Sequence, residues 1–154
     1  MATQTQRAAQ LIGPAKIEYY PEAASQSFKK GEFVNLVSGK LTAMSATTAL
    51  QGKIAGMALQ DASGTTDTAI AIAIAEEGVL FEMNVTGAVT AITNVGGSFG
   101  LTVSSNKCYL NLSDTTITKF KVKALSPRDA TGDTYGRELV EVIGSICQLS
   151  GQTS

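Results

Sequence analysis

TDTAIAIAIAEEG, residues 66–78, places Ile70, Ile72 and Ile74 at alternate positions with Ala69, Ala71, Ala73 and Ala75 between them. A period of two is the signature of a strand, with isoleucines on one face and alanines on the other. An exposed strand would carry Thr, Lys or Glu on its second face, and this one carries none. Both faces are therefore expected to be covered. If the isoleucines fill the domain's own core, the alanines face a cover, and three segments can supply it. These are residues 42–51, the N-terminal segment, or another subunit meeting Ala69, Ala71, Ala73 and Ala75. In the monomeric alternative the alanines line a narrow barrel and the isoleucines pack elsewhere.

Working outward, the chain reads as strand after strand. EFVNLV (32–37) ends at SGK, KIAGMALQ (53–60) ends at DASGTTD, and VLFEMNVTG (79–87) follows the alternating stretch. AVTAITNVGG, FGLTVSSNK, CYLNLSD, ITKFKVKAL and ELVEVIGSICQL complete the series. Short apolar runs at about ten-residue spacing predict an all-β fold, a compact β-barrel or sandwich. Two stretches also fit helix: TAMSATTALQ (42–51) as one or two turns, and the C-terminal RELVEVIGSICQL. The Val and Ile density of the latter, with Gly144, favours a strand.

Residues 1–27 differ in texture. A polar MATQTQRAAQ precedes LIGPAKIEYYP, a short apolar-aromatic piece between Pro14 and Pro21. Such a segment buries too little alone to offset its ordering entropy, so it reads as an extended N-terminal arm ordered against something else. KIEYY alternates and is suited to adding a strand to a sheet edge. The expected organisation is this arm followed by one domain, residues 28–154; the whole chain, at 154 residues and 16.0 kDa, is long enough to bury a core.

Charge is sparse, at 16% of residues with a net of −1, so no global field draws the chain to nucleic acid or anionic lipid. The charges are segregated. Residues 1–60 hold Arg7, Lys16, Lys29, Lys30, Lys40 and Lys53 against Glu18, Glu22 and Glu32, while residues 61–106 hold five acids and no base. Such patches steer a chain onto its own copies or a partner, or simply form a dipolar surface. KFKVK puts Lys119, Lys121 and Lys123 on one face, read as a solvated edge or a contact for an acidic protein; without aromatic platforms, nucleic acid is not expected. The N-terminus lacks a signal-peptide core and no apolar run is long enough to span a bilayer, so synthesis in a cytoplasm is expected. The Asn84 and Asn111 glycosylation patterns would then go unused.

Catalytic chemistry finds little support. The chain has no histidine, which removes the commonest general base and nucleophile partner. Cys108 and Cys147 fit no metal or redox spacing and read as buried thiols on two strands. PRDATGDTYGRE gathers Arg128, Asp129, Asp133, Arg137 and Glu138 around two glycines, a composition that suits a hairpin tip. Asp61 and Asp67 flank a similar turn, and VGGSFG lacks the Lys-Ser/Thr of a phosphate cradle. No catalytic, metal or cofactor-binding residue is assigned. Small trimeric all-β nucleotide hydrolases resemble the chain in size, but their Gly-Tyr-Asp and Gly-Arg-Ser motifs are matched only by YGREL (135–139).

The order of motifs carries one resemblance. Gly31–Val34 fits G-x-x-V, Ile54–Ala62 fits I-x-G-x-A-x-x-D-A, and Gly78–Gly87 fits G-V-x-F-x-x-x-x-x-G. With KFKVKAL, residues ~28–125 resemble the head decoration (cement) proteins of tailed bacteriophages, and the end, RDATGDTYGRELVEVI, also resembles the closing strand region of such proteins. That resemblance implies a β-barrel or β-tulip-like fold and homotrimers on three-fold or quasi-three-fold sites of the mature head. It implies the major capsid protein as partner and the outer capsid surface of the virion as location. Leu11, Ile12, Ile17, Tyr19 and Tyr20 are then the expected capsid-binding arm residues, and the alanine face is the expected subunit interface. A tail, baseplate or head-fibre component is the alternative, and a nucleotide hydrolase a more distant one.

Overall fold

The computed structural model describes residues 2–44 and 52–149. Eleven strands are present among them: β1 Gln10–Ile12, β2 Ile17–Pro21, β3 Phe33–Val37, β4 Lys40–Ala43, β5 Gly56–Ala58, β6 Ala69–Ile74, β7 Leu80–Thr86, β8 Ser98–Ser104, β9 Lys107–Asn111, β10 Phe120–Leu125 and β11 Arg137–Val142. The expected all-β class is what the chain adopts. The 42–51 stretch contributes Thr42 and Ala43 to the end of β4, and its residues 45–51 lie outside the described residues.

One sheet runs β1-β7-β11-β10-β8-β9, and β9 returns to pair in parallel with β7 through Val85↔Leu110 and Thr86↔Asn111. That return closes β7, β11, β10, β8 and β9 into a barrel, which removes their open edges. β1 occupies the remaining length of the same β7 edge, Gln10↔Glu82 to Ile12↔Leu80. The register lines up Phe120 with Val142, Val122 with Val140, Val140 with Phe81, and Leu101 with Leu110. All of these belong to one buried core.

The second sheet runs β2-β6-β5-β3-β4 and curls until Glu22, just past β2, bridges Leu41 of β4. Its inner face holds a separate core of Val34, Leu41, Ala58, Ile70, Ile72 and Ile74, with Phe28 and Ala55. Two-residue hairpins help set both registers. Ser38 and Gly39 join β3 to β4, and Ser105 and Asn106 join β8 to β9, all four with positive φ, as turns matched to strand twist require.

The alanine face of β6 now has its cover. Ala73 lies level with Met57, and Met57 with Phe33, so these side chains share one face. Phe33, Met57 and Ala75 all belong to the barrel core rather than to the core of their own sheet. Phe33 reaches Phe81 edge-on with centroids 5.1 Å apart and Phe120 at 5.0 Å. The isoleucines thus fill the curled sheet, and the alanines turn toward the barrel, where small side chains let the two units approach. Ala71, Ala73 and Ala75 are buried within the single chain and only Ala69 is exposed. This corrects the expectation of a subunit interface through Ala71, Ala73 and Ala75: the chain itself buries all three, and Ala75 belongs to the barrel core.

The N-terminal segment is extended and is ordered against both units. Its first residues dock where Asp133 accepts from the Ala2 amide (3.2 Å) and the Gln4 side chain (2.7 Å). β1 then adds to the barrel and β2 to the second sheet, pairing Ile17↔Ala73 through Pro21↔Ala69.

Candidate functional surface

β2 is where the fold leaves chemistry open. The Lys16 carbonyl accepts from the Ile74 amide and the Glu22 amide donates to the Thr68 carbonyl, so the even-numbered amides between them face β6. The peptide groups of Ile17 and Tyr19 therefore point to the outer edge, where no strand pairs with them among the described residues. Beyond Tyr20 the edge is occupied, since the Ala23 amide donates to the Leu41 carbonyl. The side chains of Ile17 and Tyr19 are 53% and 65% exposed. They stand on the face shared with Ala73 and Ala71. A groove of about 290 Å³ on the molecule is lined by Ala9, Gln10, Leu11, Lys30, Met57 and Leu59, and Leu59 donates its amide to the Ala71 carbonyl in the Tyr19 row.

The five expected arm residues divide accordingly. Leu11 packs against the barrel core, Tyr20 packs against the second core, and Ile12 is half-buried in β1. Burial, then the neighbouring Glu18 charge, pushes the Tyr20 hydroxyl above its ordinary pKa. Of the five, Ile17 and Tyr19 alone are exposed. Lys16 and Glu18, also exposed, make no ion pair among the described residues. Strand parity was the available signal for them: once β2 is an edge, the residues flanking Ile17 become edge charges.

The segregated charges meet largely within the chain. Lys40 pairs with Asp67 at 2.8 Å, Lys29 approaches Asp61 at 3.9 Å, and Glu82 is buried. Glu82 accepts from the Ser126 hydroxyl at 2.7 Å and sits near Arg128 (3.5 Å) and Arg137 (3.7 Å). Arg137 in turn grips Asp129 with two guanidinium bonds of 2.8 Å, which holds the Asp129 carboxyl below its usual range. These contacts organise the β10–β11 connection, and Asp133 anchors both that turn and the N-terminus.

Two readings of lysine and thiol need adjustment. Lys121 and Lys123 are exposed, but Lys119 is buried and donates its ammonium to the Gly52 carbonyl, so it is absent from the solvated face. Desolvation lowers its pKa. Cys108 lies in β9, where its sulfur accepts the Phe33 amide at 3.4 Å, and burial pushes its thiol up to about 12. Cys147 follows a 3₁₀ turn at Gly144–Ile146 rather than sitting in a long strand, and burial raises it to about 11. Neither thiol is a nucleophile at neutral pH. Asn84 is buried and donates to the Thr5 and Tyr135 carbonyls, so its side chain is engaged inside the fold.

Among the described residues no group of three or more Cys, Asp or Glu is placed to hold a metal ion, and no helix is long and apolar enough to cross a membrane. The sequence matches no protein-family model and no curated protein.

Proposed function

We propose that this chain is a structural virion protein, a capsid decoration protein that binds the outside of a mature phage head and stabilises the shell. The observation that carries this reading is the adhesive strip on β2, where Ile17 and Tyr19 are exposed beside an unpaired sheet edge. Exposed apolar side chains beside an open edge are a liability for a solitary protein, and a partner that covers those side chains turns that liability into binding. The motif resemblance across residues ~28–125 names the partner as the major capsid protein. Binding only the expanded shell stabilises that shell by linkage, and a homotrimer at a three-fold site engages three equivalent contacts at once.

The test uses expanded heads lacking decoration, mixed with purified protein and imaged. Occupancy at three-fold sites supports the reading, and its loss in Ile17→Ser/Tyr19→Ser assigns it to β2. Both side chains are exposed, so this variant folds. Bare heads with labelled tails would establish the tail or baseplate alternative instead, and tight binding of a magnesium nucleotide would revive the hydrolase.

A further inference from the structure

We infer that β2 pairs with β2 of a second copy of this chain, antiparallel about a two-fold axis through Ile17. The outer edge offers the peptide groups of Ile17 and Tyr19. Centring the axis on Ile17 sets Ile17 opposite its own symmetry mate, a pair able to exchange both amide hydrogen bonds, and brings the outward peptide group of Tyr19 to the chain before Lys16 of the other copy. It also sets Lys16 opposite Glu18, twice. Both are exposed and lack an ion-pair partner among the described residues, so the edge is self-complementary in charge.

Neighbouring registers are worse. Centring on Glu18 puts the two Glu18 carboxylates face to face, a like-charge pair directly across strands. Centring on Tyr19 puts Lys16 opposite Glu22, which is buried and accepts from the Ser63 hydroxyl at 2.6 Å and the Gly64 amide at 3.0 Å. Only the Ile17 register satisfies both charges and amides. A strand from an unrelated protein would satisfy the amides but has no such charge constraint.

The pairing would place Ile17 and Tyr19 of both copies on one continuous face, doubling the apolar strip. Resting on the decoration reading, a two-fold contact of this kind is distinct from three-fold association and joins one trimer to the next across the shell.

Sedimentation equilibrium of the full chain, up to roughly 1 mM because the interface is well below standard size, measures the pairing. A concentration-dependent doubling of mass is expected. Lys16→Glu and Glu18→Lys each replace two attractive pairs by repulsive ones, and each should weaken the doubling by about tenfold. Mixing those two variants restores both attractions in the heterodimer, as does combining them in one chain. Absence of doubling at every concentration overturns the inference, and so does doubling that ignores the charge at positions 16 and 18. Shell occupancy is scored separately, so a protein that pairs in solution but leaves heads bare keeps this inference and loses the decoration reading.

Discussion

The backbone of Gly56 in β5 lies so close to the Ala73 carbonyl in β6 that a Cβ at position 56 would collide with that oxygen and its carbon. Gly56 needs no unusual φ; it is required by proximity alone. This is the place where the curled sheet is drawn tight between its own isoleucine core and the barrel.

Gly56→Ala is therefore expected to destabilise the fold by about 1–3 kcal/mol, the usual cost of overpacking, since both clashing atoms are backbone and cannot rotate away. Urea unfolding followed by circular dichroism reads it. A loss below about 0.5 kcal/mol would mean that β5 and β6 are free to separate, contrary to the packing of Met57 and Ala75 in the barrel core.

Arg137 serves two buried acids at once, with Asp129 bonded and Glu82 nearby. Arg137→Met keeps length and removes charge, leaving Asp129 unpaired and Glu82 to the more exposed Arg128, at an expected cost of about 3 kcal/mol at neutral pH. The hydrogen bonds from Arg137 depress the folded-state pKa of Asp129. That contribution is present above the unfolded value of 3.8 and disappears as pH falls through the lower folded value. Without Arg137 it is absent throughout, so the acid-unfolding midpoint should move to higher pH. An unmoved midpoint with unchanged urea stability would show the pair to be solvated.

Much of this was written in the sequence at the level of strands, because a period of two survives any arrangement of neighbours. The Ile/Ala alternation correctly demanded two covered faces for β6, yet composition cannot distinguish another subunit from a second unit of the same chain. AVTAITNVGG reads as a strand but forms a loop with a 3₁₀ turn at Ile92–Asn94. Thr90 bonds to Asp133 and Gly132 instead of a ladder, and Ile92 is exposed, so its spacing with Val89 and Val95 follows three rather than two. The β2 edge was foreseeable in kind from KIEYY. Which of its side chains stay free depended on Leu11 and Tyr20 finding the two cores, a tertiary fact. Lys119 illustrates the same point, since the alternation of KFKVK holds while the Gly52 segment covers one lysine.

Glu138 is the least comfortable residue inside the barrel. On β11 it shares the inward face with Val140 and Val142 and is fully buried. One carboxyl oxygen accepts from the Asn94 amide at 2.8 Å and the other has no hydrogen-bond partner. Desolvation raises its pKa above the ordinary 4.5, outweighing the bonds from Asn94 and the Ala91 amide. For an acid raised in the folded state, the native form binds the proton more tightly. Its penalty is therefore absent below the unfolded pKa and grows as pH rises through the folded one. Glu138→Gln keeps the Asn94 bond and carries no charge, so it should match the wild type in acid and exceed it by roughly 1–3 kcal/mol at neutral pH. Thermal unfolding of both proteins across pH isolates this group, because Asp129 and the other carboxylates cancel in the difference. Parallel curves, with no divergence above pH 4.5, would mean that the carboxylate is solvated and that the barrel admits water at its Asn94 end.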